Sequence, residues 1–209
     1  LIVCDEKGQV IDGDQILALV SREWKQASIL KGNGVVTTVM SNLGLERYLK
    51  ANGMNHIRTK VGDRYVVEKM REDGYNLGGE QSGHLILGEH STTGDGLVAA
   101  LQVCAAVLKE KRPVSEVMHL FEPVPQLLKN VRLSDRTLAK TALESDSLKI
   151  VIDKTERTLG DSGRLLIRAS GTEPLIRIML EGENRDQIKA MADEIANALV
   201  AEVAALEAR

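Results

Sequence analysis

A short stretch in the last quarter of the chain carries the residue types of a phosphate-binding loop. Arg168 and Arg177 stand on either side of Ser170, Gly171 and Thr172, between two apolar runs that are typical of buried strands. Two guanidiniums, two hydroxyls and the backbone N–H groups that a glycine allows to approach a ligand can together bind phosphate. The same residues are also compatible with a polar hairpin tip whose arginines are surface charges.

A second stretch, residues 78–84, places Glu80 and Ser82 between glycines. Flanking glycines allow the backbone to present a side chain at the tip of a turn. An ionised carboxylate can accept two hydroxyl protons at once, so Glu80 suits a vicinal diol of a sugar, and Ser82 can add a third contact. The alternative is a glycine-rich hairpin whose polar tip is only solvated.

Gly62, Asp63 and Arg64 follow a predicted strand and could form a third ligand loop. Loops at the carboxyl ends of parallel strands contact ligands, and these residues bring one anion and one cation to such an end. A helix start with Asp63 near its N-terminus explains them more simply. His84 is a candidate proton-transfer group by residue type, although a hydrogen-bonded structural histidine is the simpler interpretation.

Asp12 and Asp14 flank Gly13, and Asp5 lies nearby in sequence. Carboxylates grouped in this way could bind a metal ion. Aspartates beside a glycine at the start of a helix are more often N-caps. We therefore predict helix capping here and no metal site in the chain.

Composition narrows the class of protein. The 209 residues, with 43% apolar and 27% charged side chains, are typical of a globular protein with one large or two ordinary domains. A net charge of −3 and 2% aromatic residues argue against a nucleic-acid surface. No apolar run reaches the roughly 20 residues that cross a bilayer, and no signal peptide is visible. Cys4 and Cys104 predict reduced, packed thiols in a cytoplasmic protein.

The pattern of strands and helices predicts two α/β-class domains. Residues 28–124 alternate strand and helix signals, which indicates a three-layer α/β/α domain with a mixed, mostly parallel sheet. Residues 125–209 predict a smaller α+β domain, a sheet with two helices. In it, residues 148–158 are predicted to be a strand, and a long helix is predicted from near Asn184 to Leu206.

The residues at both ends of the first predicted domain indicate where neighbouring parts of the protein begin. Prolines around residues 122–126 predict an interdomain linker. Residues 1–27 are interpreted as the tail of a preceding domain, because Leu1 already begins an apolar strand. We therefore expect the chain to be part of a longer protein.

Taken together, these stretches resemble the α-D-phosphohexomutases. Gly79-Glu80-Gln81-Ser82-Gly83-His84 resembles their sugar-binding loop, and Arg168-Ala169-Ser170-Gly171-Thr172-Glu173-Pro174, with Arg177, resembles their C-terminal phosphate-binding loop. Thr59-Lys60-Val61-Gly62-Asp63-Arg64-Tyr65 resembles the domain 3 loop that helps to recognise the orientation of the sugar. Gln81 and the Gly-Thr-Glu-Pro sequence fit best the bacterial branch that acts on glucosamine phosphates. The resemblance covers essentially the whole chain.

The resemblance implies a four-domain enzyme of which this chain holds the last two domains. Residues 28–124 would be domain 3, residues 125–209 domain 4, and residues 1–27 the end of domain 2. The family's phosphoserine loop, and its Mg²⁺ loop of the form Asp-Gly-Asp-x-Asp-Arg, precede this region. Asp12-Gly13-Asp14 lacks the third aspartate and the arginine. The resemblance therefore implies Mg²⁺ in the full-length enzyme only, with no catalytic residue and no metal ligand in this chain.

The reaction that the resemblance implies interconverts glucosamine 6-phosphate and glucosamine 1-phosphate. It passes through a phosphoserine and a bisphosphorylated sugar, on the route to UDP-N-acetylglucosamine and the cell wall. Phosphate binding is implied for Arg168, Ser170, Gly171, Thr172 and Arg177. Sugar binding is implied for Glu80, Ser82, Gly62, Asp63, Arg64 and His84.

The resemblance also implies two partners of the chain, a hexosamine phosphate and the N-terminal domains of the same protein. The oligomeric state stays open, with a homodimer as one alternative, and the composition and apolar runs predict neither a nucleic-acid nor a membrane partner. Two alternatives stay open. One is a family member that acts on mannose or glucose phosphates, and the other is a non-catalytic phosphosugar-binding module.

Overall fold

The chain divides between Pro123 and Val124 into two units, residues 1–123 and 124–209, in a computed structural model that describes residues 1–208. Both units mix helices and strands, so the predicted α/β class is confirmed. Over the described residues, no helix is long and apolar enough to span a membrane. The division falls within the predicted linker.

The first unit contains a hairpin, a sheet and five helices among its described residues. Its elements, in chain order, are β1 (Val3–Cys4), β2 (Val10–Ile11), α1 (Gly13–Gln26), β3 (Gly34–Thr38), α2 (Leu43–Ala51), β4 (Asn55–Thr59), α3 (Asp63–Asp73), β5 (Leu77–Gly79), β6 (Leu85–Leu87), α4 (Gly96–Glu110) and α5 (Val114–Val117).

The main sheet of the first unit is mixed and has the order β4-β3-β5-β6. Strand β3 is parallel to β4 and β5, and β6 is antiparallel to β5. Successive residues of a strand point to opposite faces. Accordingly Val35 packs with α1, α2 and α4 on one side, and Val36 packs with Val66 and Met70 of α3 on the other. The predicted three-layer arrangement is confirmed.

Helix α1 corrects the expectation that residues 1–27 belong to a preceding domain. Its side chains Ile16, Leu17 and Val20 are buried in the same core as Val35 of the main sheet. This helix therefore forms part of one outer layer of the first unit. The sequence shows that α1 has an apolar face but does not show which residues this face packs against. The prediction therefore assigned the helix to a different domain.

The second unit is an antiparallel sheet packed against helices. Its elements are β7 (Gln126–Arg132), α6 (Leu138–Leu143), α7 (Asp146–Leu159), β8 (Gly163–Ala169), β9 (Leu175–Gly182) and α8 (Arg185–Glu207). The strand order is β7-β9-β8, with antiparallel neighbours. The long C-terminal helix was predicted correctly, and its buried residues Ile188, Ile195 and Leu199 repeat at helical spacing.

The predicted strand over residues 148–158 is wrong, because this segment lies within helix α7. Ser145 caps the helix, its side chain accepting a hydrogen bond from the Leu148 N–H. Leu148, Thr155 and Leu159 are buried, at spacings of seven and four residues that place them on one helical face. The β-branched residues between them favoured a strand locally, and the cap and packing override that preference. The predicted sheet with two helices thus becomes three strands with three helices.

The two cysteines also differ from the prediction. Cys4 and Cys104 are free thiols, as expected, but both are exposed rather than packed. Cys104 lies on the outward face of α4, on a helix whose opposite face is buried.

Candidate functional site

The turn over residues 80–84, which joins β5 to β6, presents Glu80 and Ser82 as the sequence predicts. The Glu80 N–H donates to the His84 carbonyl (2.9 Å), and the Gly83 N–H donates to the Glu80 carbonyl (2.9 Å). Gly83 has a φ of 90°, a left-handed conformation that glycine adopts without steric cost. We call this segment the 80–84 turn. Its backbone hydrogen bonds fix the base from which Glu80 projects.

The 80–84 turn meets the loop that follows β4. The Gly62 N–H donates to Oε1 of Glu80 over 3.0 Å, so the structure brings these two predicted residues together. A cleft of about 460 Å³ opens beside them, lined by Thr38, Met40, Val61, Glu80, Gln81 and Ser82. One carboxylate oxygen of Glu80 is held by the backbone, and the other is left to accept from a ligand hydroxyl.

Thr38 and Met40 are cleft residues that the sequence reasoning missed. Thr38 ends β3, and Met40 follows it, with its N–H donating to the Thr38 hydroxyl (3.3 Å). Strand β3 is the parallel neighbour of both β4 and β5. The rule that ligand loops lie beyond the carboxyl ends of neighbouring parallel strands could have identified them.

Residues at the start of α1 hold the 80–84 turn in place. The Gly13 N–H donates to the Gln81 carbonyl (2.9 Å), and Gln81 Nε2 donates to Oδ2 of Asp12 (3.4 Å). A Cβ atom on Gly13 would lie 2.1 Å from the Glu80 carbonyl oxygen and 2.8 Å from the Gly83 nitrogen. Only glycine leaves room for the turn at this position.

Asp63, Arg64 and His84 are not among the residues that line this cleft, although they adjoin Gly62 and the 80–84 turn in sequence. Asp63 begins α3, as the simpler interpretation predicted, and its Oδ2 lies 3.4 Å from Nε2 of His84. Arg64 is 80% exposed and donates to Glu68 on the next turn of its own helix (2.8 Å). The structure thus brings His84 and Asp63 together and directs Arg64 along the surface of α3.

In the second unit, the turn between β8 and β9 contains the predicted phosphate residues. The Ser170 N–H donates to the Leu175 carbonyl (2.9 Å), which closes the turn. The Ser170 hydroxyl, almost fully buried, accepts from the Glu173 N–H (3.2 Å) and more distantly from the Thr172 N–H (3.5 Å). Gly171 is exposed, and a Cβ built there would meet no atom within 4 Å. We call this segment, residues 170–174, the 170–174 turn.

Two arginines meet at the base of the 170–174 turn. Arg168 on β8 is directly opposite Arg177 on β9, and opposite residues of an antiparallel pair share a face of the sheet. Arg177 Nη2 forms an ion pair with Oε2 of Glu173 (2.8 Å), while its buried Nε atom has no partner within residues 1–208. Arg168 makes no side-chain hydrogen bond or ion pair with any described residue.

The electrostatics of this arginine pair favour an anion. Partial burial lowers the pKa of Arg168, and the nearby positive charge of Arg177 lowers it further. Glu173 neutralises one of the two charges at most. A phosphate beside Arg168 would supply the missing charge partner and accept hydrogen bonds from both guanidiniums.

The carboxylates of the N-terminal region do not fit a metal ion. Asp12 caps α1 by accepting from the Gln15 N–H, Asp14 is buried and accepts from the Asn42 N–H, and Asp5 accepts from two backbone N–H groups of its own turn. Within residues 1–208, no group of three or more His, Cys, Asp or Glu side chains is placed to bind one. These residues provide no Mg²⁺ site.

Family models match both units of the chain. Residues 12–124 match the α/β/α domain III of phosphoglucomutase/phosphomannomutase, and residues 128–198 match the C-terminal domain of the same proteins. The first match begins one residue before α1, which agrees with the packing of that helix in the first unit.

Curated relatives are considerably longer than this chain. The phosphoglucosamine mutases of Methylobacterium nodulans and Novosphingobium aromaticivorans are each 56% identical over 199 residues, which is 95% of this chain and 44% of theirs. The chain therefore spans less than half the length of the relatives it matches.

Solved structures show the same fold at low sequence identity. Aspergillus fumigatus N-acetylphosphoglucosamine mutase, in complex with GlcNAc-6P and magnesium, is 21% identical and gives a TM-score of 0.78 over 97% of this chain and 46% of that one. A phosphoglucomutase/phosphomannomutase family protein of Burkholderia thailandensis is 20% identical, with a TM-score of 0.71 over 96% of this chain and 44% of that one. With domain models matching both units, the chain belongs to the phosphoglucomutase/phosphomannomutase family.

Proposed function

We propose that the longer protein containing this chain is a phosphoglucosamine mutase, and that this chain supplies its sugar and phosphate binding. The observation that carries the proposal is the Arg168–Arg177 pair at the base of the 170–174 turn, where Arg168 lacks a charge partner within residues 1–208. The curated relatives that are 53–56% identical are phosphoglucosamine mutases, which supports the choice of sugar.

Each turn has its own part in this proposal. Arg168, Arg177, Ser170, Gly171 and Thr172 hold the phosphate that does not react. Glu80 accepts hydrogen bonds from ring hydroxyls beside the cleft. Ser82 exchanges a further hydrogen bond with a ring hydroxyl. Gly62, Asp63, Arg64 and His84 form the edge that the sugar contacts.

In the same proposal, the reacting end of the sugar contacts residues that are outside this chain. Phosphoryl transfer needs a donor and neutralisation of the developing charge, which Mg²⁺ supplies when bound. A phosphoserine would pass its phosphoryl group to a sugar hydroxyl, and after the bisphosphorylated sugar turns round, the other phosphoryl group would return to the serine. The residues of this chain orient the sugar in both arrangements and move no phosphoryl group themselves.

The test is a coupled mutase assay on the longer protein and on this chain. Both are supplied with Mg²⁺ and glucosamine 1,6-bisphosphate, and turnover is compared for glucosamine, glucose and mannose phosphates. We expect the longer protein to prefer glucosamine phosphate and this chain to be inactive. A preference for mannose or glucose phosphate would reassign the substrate, and no turnover of any of them would indicate a non-catalytic phosphosugar-binding protein.

Partners and location belong to the same proposal. The small-molecule partner is a hexosamine phosphate, and the macromolecular partners are the preceding domains and a second copy in a homodimer. A cytoplasmic location is consistent with two free thiols, since disulfides are rare in that compartment.

A further inference from the structure

Helix α4 is apolar on both of its long faces. It carries no charged side chain from Gly96 to Leu108. On one face, Ala99, Val103 and Ala106 are buried in the core of the first unit. A surface helix normally presents polar residues opposite its buried stripe, and a helix that is apolar all round is covered on both sides.

The outward face of α4 is an exposed apolar stripe. Leu97, Leu101 and Leu108 are 80%, 68% and 75% exposed, and the exposed Cys104 lies between them in sequence. Spacings of four, three and four residues align these side chains along one side of the helix. We call these four residues the α4 stripe. A single exposed leucine is ordinary, but a contiguous apolar surface of this kind marks a docking site.

An apolar groove continues the α4 stripe towards the N-terminal hairpin. It has a volume of about 360 Å³, and its lining residues, whose side chains are all uncharged, include Leu1, Val3, Val103, Cys104, Val107 and Leu108. Leu1 and Val3 thus form one wall of the groove, and α4 forms the other. Stripe and groove together make one continuous surface beside the hairpin.

We propose that this surface docks the domains that precede domain III in the longer protein. The matched models are the third and the last domain, and the curated relatives are more than twice as long as this chain. Preceding residues of the longer protein attach at Leu1, which is itself in the groove wall. Tethering at this point gives the preceding domains a high effective concentration at the stripe, so a modest apolar area is enough to hold them. The inference rests on family membership and not on the proposed reaction.

The thiol of Cys104 provides a direct probe of whether the α4 stripe is covered. Pulse labelling with N-ethylmaleimide, read by peptide mass spectrometry, is compared between this chain and the longer protein. We expect Cys104 to react at least about tenfold more slowly in the longer protein, because labelling must then wait for an opening of the covering domain. The control is Glu72→Cys, an exposed position on α3, on the opposite side of the sheet. Its labelling rate should be the same in both proteins.

A second variant tests whether apolar docking causes the protection. Leu101→Glu should restore fast labelling of Cys104 in the longer protein while changing the Tm of this chain by less than about 2 °C, since Leu101 is exposed there. Ile150→Glu, at a similarly exposed position on α7, controls for the added charge.

Two results would overturn the proposal. One is equal labelling of Cys104 in the two proteins, which would show that the stripe is free. The other is slow labelling in this chain together with sedimentation as a dimer, which would show that a second copy covers the stripe. Neither result depends on mutase activity, so the docking surface and the proposed function can fail separately.

Discussion

The 80–84 turn and the 170–174 turn both join antiparallel strands, yet they hold their polar groups in different ways. The 80–84 turn is supported from outside, by Gly13 at the start of α1 and by the Gly62 N–H on Glu80. The 170–174 turn is closed by its own backbone and by the Ser170 hydroxyl. At its base, Arg168 has no charge partner within residues 1–208.

This difference matches two kinds of recognition. Hydroxyl groups are directional and neutral, so an acceptor such as Glu80 is useful only when its position is fixed in advance. Phosphate carries charge and many equivalent acceptors, so an exposed turn with two cations can bind it with less positional constraint. Ligand binding at the 80–84 turn should therefore depend on the residues that hold the turn in place. Ligand binding at the 170–174 turn should depend on the charge of its arginines.

The largest expected effect comes from Glu80→Gln in the longer protein. The variant keeps the shape of the side chain and loses the negative charge that, in the proposed role, accepts from a sugar hydroxyl through the oxygen not held by Gly62. Hydrogen bonds to charged groups contribute about 1.5–3 kcal/mol, so turnover should fall about 10- to 100-fold. Mg²⁺ affinity, measured by calorimetry, should be unchanged, with Glu72→Gln as the control. A lost metal site would contradict the proposed role of Glu80 in sugar binding.

Gly13→Ala tests the support of the 80–84 turn. The added Cβ would lie 2.1 Å from the Glu80 carbonyl oxygen, so backbone must move. Overpacking of this kind typically costs about 1–3 kcal/mol of unfolding free energy, measured by urea denaturation. Gly96→Ala is the matched control, because a Cβ there meets nothing within 4 Å. Equal stability of the two variants would show that α1 does not constrain the turn.

A smaller effect is expected for Ser170→Ala in the 170–174 turn. The variant removes the acceptor for the Glu173 N–H and leaves the backbone bond from Ser170 to Leu175 in place. Losing one such hydrogen bond should lower the unfolding free energy by about 1 kcal/mol. Ser147→Ala is the control, because it removes a solvent-exposed serine hydroxyl of α7 that donates to Glu202 and makes no contact with this turn. No difference between the two variants would mean that backbone alone holds this turn.

Local sequence signals predicted the turns well because their chemistry is local. Glycines and the Arg-x-Ser-Gly-Thr pattern identified both turns, and the C-terminal helix begins next to Asn184, as predicted. In each case the signal and the structure that it determines lie within a few residues of one another.

The predictions that were wrong or missing depend on residues that are distant in sequence. Ile150 and Val151 favour a strand by propensity, and only packing and the Ser145 cap make α7 a helix. The strand-end rule could have pointed to the end of β3, but the strand order that places Thr38 beside the cleft comes only from the pairing of β3 with β4 and β5. The support from Gly13 likewise depends on a contact between residues about seventy positions apart.

The central claim is that Arg168, which has no charge partner within residues 1–208, binds the phosphate of a sugar phosphate together with Arg177. Calorimetric titration of glucosamine 6-phosphate into this chain tests it most directly, with unphosphorylated glucosamine as the reference ligand. Arg168→Ala should weaken binding of the phosphorylated sugar at least about tenfold, because a charge-assisted hydrogen bond is lost. Arg157→Ala, at an exposed arginine of α7 in the same unit, should leave it unchanged. Equal affinities for wild type, Arg168→Ala and Arg157→Ala would contradict the claim.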